Sequence, residues 1–165
     1  MPQGPAARIT DNVSHPLPPV LAPGPGSPNV LIGFLPAWRA CPAGAGAALQ
    51  AANQAAQTAI QSAEAATAAA AGPAQPAAYA AEQALKVAQL AAMTSSVMSA
   101  AGGADIHSCV TPLPVPPHGP GVVIDGSVTV QTNFLPQSRM GDTVIEAVGP
   151  PNKVAKGETS VIVGG

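Results

Sequence analysis

Three histidines and two cysteines are the main metal-coordinating side chains of this 165-residue chain. His15 follows Asp11 by four residues, and His107, Cys109 and His118 follow Asp105 by two, four and thirteen. Imidazole nitrogens and a thiolate are the donors that tetrahedral zinc prefers, and four of them close a structural site. A single loop histidine is most often merely solvated, and the recurrence behind an aspartate is what favours a shared cation. Four protein ligands leave no position for water or substrate. Asp105 is the one carboxylate beside the His/Cys loop, so catalysis is not expected. Cys41 reads as a small buried hydrophobe rather than a ligand. Glu146 follows Asp142 by four residues and reads as an oxygen donor or, more simply, a solvated side chain.

The aspartates belong to an internal repeat, which sets how these residues must be positioned. A proline-arginine element recurs as Pro5-Ala6-Ala7-Arg8, Pro36-Ala37-Trp38-Arg39 and Pro136-Gln137-Ser138-Arg139. A glycine-led element recurs at Gly26, Gly126 and Gly157, 21 positions after Pro5 and 21 after Pro136, but 90 after Pro36. Asp11 and Asp142 each lie 6 after their proline, whereas Asp105 lies 69 after Pro36, so the middle unit carries 63 extra residues between Cys41 and Asp105. The recurring pairs Arg8 with Asp11, Arg39 with Asp105 and Arg139 with Asp142 read as structural ion pairs, one per unit.

Composition locates the same insertion independently. Of 35 Ala, 28 fall among residues 43–104, while 18 of the 20 Pro lie outside that block. The division is therefore 1–41, the first part of the repeat region; 42–104, the insertion; and 105–165, the second part. Outside the insertion, short β-branched runs at 29–32, 122–124 and 160–163 between Gly and Pro turns read as strands. Each unit is too short to bury its own apolar face. The expected fold is mainly β: a three-sided conical β-prism of pseudo-threefold repeats, with Val30, Val130 and Val161 pointing inward.

The insertion reads as an α-helical hairpin, with helices over 44–71 and 77–101 broken at Gly72-Pro73 and Pro76. On the first helix Gln50, Asn53, Gln54, Gln57, Gln61 and Glu64 form a wet face opposite Leu49, Ala52, Ala56, Ile60 and Ala63. On the second, Ala81, Leu85, Ala88 and Ala92 are the expected dry face against Glu82, Lys86 and Gln89. Both stretches are long enough to span a bilayer, but their amide and hydroxyl content opposes it. Charged residues are 8% of the chain at a net charge of -2, which excludes a nucleic-acid partner. Met1 to Val20 has no basic n-region, so no signal peptide is expected.

Ala6-Ala7-Arg8-Ile9-Thr10-Asp11-Asn12-Val13-Ser14-His15 and the Gly126 to Asp142 stretch resemble the Pro-Ala-Ala-Arg (PAAR) repeat proteins that tip contractile injection machines. Trp38, Pro42 and Gln137-Ser138 depart from the family pattern. The resemblance implies a non-enzymatic spike tip that caps a trimeric β-helical spike, the valine-glycine-repeat protein of type VI secretion or its counterparts in extracellular injection systems and phage-like tails. It implies one structural zinc at the vertex, mapped onto His15, His107, Cys109 and His118, and a membrane role limited to piercing. It further implies assembly in the bacterial cytoplasm and delivery outside or into a target cell. The hairpin would then be an arm for baseplate or effector cargo; the alternative is a membrane-active or cargo-carrying effector or adaptor whose hairpin enters a bilayer or binds a chaperone or toxin. The chain ends at Gly165, so a fused toxin domain is not expected.

Overall fold

The computed structural model describes residues 3–14, 20–22, 24–109 and 118–165, the side chain of Cys109 excepted. Within them the three proline-arginine elements meet in a closed ring of main-chain hydrogen bonds. The Ala7 N–H donates to the Ser138 carbonyl (2.9 Å), the Ser138 N–H to Trp38 (3.0 Å), and the Trp38 N–H to Ala7 (2.9 Å). These are the third residues of the three elements, and all are buried. A buried peptide group must find a partner, and here each repeat supplies the partner of the next.

The Gln137 side chain closes the ring. Its amide nitrogen lies 3.1, 3.2 and 3.0 Å from the carbonyls of Ala7, Trp38 and Ser138, and its amide oxygen accepts from the Thr132 hydroxyl at 2.7 Å. The departure from Ala at this position therefore puts a donor in front of three converging acceptors. Gln137→Ala should cost about 1–3 kcal/mol, the penalty for unsatisfied buried polar groups, read as a lower urea midpoint at unchanged slope.

The strands are β1 (Gly4–Ala6), β2 (Leu31–Ile32), β3 (Leu35–Pro36), β4 (His107–Cys109), β5 (Gly119–Val123), β6 (Gln131–Thr132), β7 (Leu135–Pro136), β8 (Thr143–Glu146), β9 (Asn152–Lys153) and β10 (Glu158–Val163). The helices α1 (Ala45–Ala69) and α2 (Gln75–Ala101) lie between β3 and β4, joined through a 3-10 turn at Gly72–Ala74. Three antiparallel ladders are equivalent by repeat: β2 with β3, β6 with β7, and β1 with β10. Leu31 opposite Pro36 matches Gln131 opposite Pro136 and Ile162 opposite Pro5.

The expected β-prism is not what forms. The described residues are an α+β mixture, 37% helical and 26% strand, with ten short strands in small sheets and, among them, no barrel or prism. The reason lies in strand length: the ladder strands run two to six residues, too short to join into continuous faces. Among the described residues one sheet is larger, four-stranded in the order β4-β5-β8-β9. Val130 and Val161 are also not inward; both are exposed, and Val30 is only half-buried, while Ile32, Thr132 and Val163 are the equivalent buried positions.

The hairpin is not a detached arm. Leu49, Ala56, Met93, Val97 and Ala101 share one apolar core with Leu135, Val122 and Ile145. Gly102, left-handed at φ 53°, ends α2, a conformation that favours glycine. Two helix faces differ from expectation. Asn53 is buried with Leu49 and Ala56, while Gln50, Gln54, Gln61 and Glu64 stay exposed. On α2 the buried face is Glu82, Met93, Val97 and Ala101, with Ala81, Ala88 and Ala92 exposed. The Lys86 ammonium lies 2.6 Å from Glu82 and 2.7 Å from Glu64, tying the two helices together. Those bonds raise the Lys86 pKa and lower that of Glu82. Among the described residues no helix is long and apolar enough to cross a membrane.

Candidate metal centre

The four-stranded sheet assembles the coordinating side chains. His107 lies opposite Gly121 on β5, and Gly121 lies opposite Glu146 on β8, so the three form a row across the sheet. A Cβ at Gly121 would sit 2.8 Å from the Glu146 Cγ. The missing side chain lets histidine and carboxylate meet over the middle strand: His107 Nε2 lies 3.1 Å from Glu146 Oε1. His118, at the head of β5, brings Nδ1 to 2.7 Å from Glu146 Oε2. The Asn152 amide donates to that same oxygen at 3.1 Å, and the Ala22 N–H donates to His107 Nδ1 at 3.4 Å.

Glu146 is therefore misread as a solvated side chain. It is fully buried and joins two of the four expected ligands. The repeat did carry the signal, since Glu146, His15 and Cys109 all stand four residues after their unit's Asp. His15 lies outside the described residues, as does the side chain of Cys109, whose backbone pairs with Gly119. A His118 that donates from Nδ1 to this carboxylate carries its lone pair on Nε2. Ligating histidines commonly donate their second N–H to a carboxylate in this way. Imidazole nitrogens are zinc-class donors, but here His107 Nε2 faces the Glu146 carboxylate while its Nδ1 accepts from the Ala22 N–H. Among the described residues, however, no three His, Cys, Asp or Glu side chains are arranged as a ligand set.

The chain matches no family model, curated protein or solved structure.

The arginine-aspartate elements repeat atom for atom around the ring. In each, the Arg main-chain N–H donates to an Asp oxygen: Arg8 to Asp11 at 2.8 Å, Arg39 to Asp105 at 2.7 Å, Arg139 to Asp142 at 2.7 Å. The guanidinium then returns to the same carboxylate. Hydrogen bonding to Asp11 and Asp105 raises the Arg8 and Arg39 pKa values. Arg8 also reaches Glu158 at 2.5 Å, tying the first unit to the third.

Burial pushes the Asp142 carboxyl up to about 6 from 3.8, against the pull of Arg139. The folded chain thus holds this proton to higher pH than the unfolded chain, so Asp142's contribution to stability falls as pH rises from 3.8 to about 6. Thermal unfolding across that window should show Asp142→Asn removing this part of the slope. Cys41 is buried, and desolvation lifts its thiol to about 11, which suits a packing role.

Proposed function

We propose that this chain is a non-enzymatic cap that seats on a trimeric protein, the β-helical spike of a contractile injection machine, and leads it through the target envelope. The three equivalent ladders carry this reading. Their turns interlock in cyclic order: Asn133 of the second bonds to Ser27 and Asn29 of the first, at 2.6 and 2.8 Å. The carbonyl of Gly164, in the third, accepts from Ser127 and Thr129 of the second. Gly33 of the first lies against Glu158 and Arg8.

That end of the molecule carries exposed apolar side chains. Phe34 is 95% and Phe134 94% exposed at matching turns, joined by Leu31 and Ile162 at matching ladder positions. Phe34 and Phe134 also take positive φ, 67° and 66°, a conformation uncommon for bulky residues. Large apolar side chains left in solvent at equivalent repeat positions support a binding face there. The ladder geometry recurs three times, with Phe at two of the three turns and an apolar side chain at two of the three matching ladder positions, Gln131 standing at the third; that recurrence fits a partner with true threefold symmetry. Zinc, held by His107 and His118 with His15 and Cys109, would stiffen the end that carries force.

Phe34→Asp combined with Phe134→Asp puts charge on this face without touching the core. Wild type should co-elute with the trimeric spike protein of its own machine in size exclusion, and the double variant should not. Co-elution of both would remove this face from the interface.

A further inference from the structure

Asn53 stands in the middle of an Ala-rich helix and is 1% exposed, although an amide is a poorer helix former than Ala and costs free energy to bury unpaired. Its Nδ2 lies 3.3 Å from the Glu146 carbonyl and 3.4 Å from the Gly149 carbonyl. Gln57, one turn on, donates to the Gly149 carbonyl at 2.9 Å and also to the Asn53 side-chain oxygen. The two amides of α1 therefore grip both ends of the 146–149 turn. One end carries the carboxylate that joins His107 and His118. At the other, Gly149 (φ 103°) packs beside the His118 ring, where a Cβ would lie in ordinary contact, 3.6 Å from its Cδ2 and Nε2. Two further bonds sew the turn to the strand that His118 heads: Ala147 N–H to the Pro120 carbonyl and Val148 N–H to the His118 carbonyl, both 3.0 Å.

We propose that the inserted hairpin braces the His107–Glu146–His118 cluster, with Asn53 as the positioning residue that acts through the backbone of the 146–149 turn. Its value for cation binding rests on the zinc reading above. Asn53 fixes where the Glu146 carboxylate sits, 2.7 Å from His118 Nδ1, and so biases which ring nitrogen of His118 carries the proton. Outer-shell partners of this kind commonly change metal affinity by about 10–100-fold. The insertion would then tune the cluster rather than only decorate it.

Full-length wild type, Asn53→Ala and Gln57→Ala would be compared by three readouts. Far-UV circular dichroism checks that the helices persist. Long-range nitrogen–proton NMR on metal-free protein reads the His118 tautomer, which a merely structural role for Asn53 would not move. Competition with a chelator gives the zinc affinity. Asn53→Ala should keep its helical signal, move His118 from Nδ1–H towards Nε2–H, and weaken zinc binding about tenfold or more; Gln57→Ala should act in the same direction. Variants that keep both the wild-type tautomer and the wild-type affinity would overturn the brace. A wild type that binds no zinc would defeat the zinc reading alone, with the brace still decided by the tautomer.

Discussion

Asp105→Ala is expected to lower the folding free energy by about 3–5 kcal/mol, the usual cost of removing one partner of a buried ion pair. Asp105 is fully buried and accepts three hydrogen bonds from one residue: the Arg39 N–H at 2.7 Å, Nε at 3.0 Å and an η nitrogen at 2.7 Å. Its removal leaves the mostly buried Arg39 guanidinium with the Gly26 carbonyl, 3.1 Å away, as its remaining hydrogen-bond acceptor among these contacts. The Asp105 N–H also donates to the Arg39 carbonyl at 3.2 Å, so the pair joins the end of the insertion to the central ring. At about 2–4 °C per kcal/mol for a chain of this size, the melting temperature should fall by about 10 °C. Asp105→Asn, which keeps the shape but loses the charge, should cost less. A loss below about 1 kcal/mol, the range of exposed pairs, would show the ring does not depend on this contact.

Zinc removal is the second large effect expected. Wild-type protein should carry one zinc per chain by elemental analysis, and His107→Ala should carry none. Binding only to the folded state stabilises by about 4 kcal/mol at a free concentration a thousand times the dissociation constant. Chelation should therefore lower the melting temperature by about 8–16 °C at the same conversion, and added zinc should restore it. His107→Ala should melt at the same temperature with and without chelator. A metal-free wild type, unmoved by chelator, would leave the ring and ladders intact but strip zinc from the proposal.

Some of this was legible in the sequence because spacing survives where residue identity does not. The Pro-x-x-Arg recurrence and the aspartates behind it marked three elements that do meet, through Ala7, Trp38 and Ser138. The helices also begin and end within two residues of the expected 44–71 and 77–101. What failed was inference from local pattern to global shape. Two-residue ladders satisfy the repeat without building the faces of a prism, and nothing in Val30, Val130 or Val161 announces which neighbour covers them. Glu146 was misjudged because burial of a carboxylate depends on Gly121 and on two distant histidines. Asn53 looked like one more polar residue on a wet face; its partners are main-chain carbonyls more than 90 residues away, which leave no periodic trace.

Native mass spectrometry of the chain mixed with the trimeric spike protein tests most directly whether a single chain caps a threefold partner. A face seated on the trimer axis leaves room for a single chain, so the proposed cap should bind as one copy per trimer even with the chain in excess. Three copies per trimer, or free chain and free trimer alone, would contradict it.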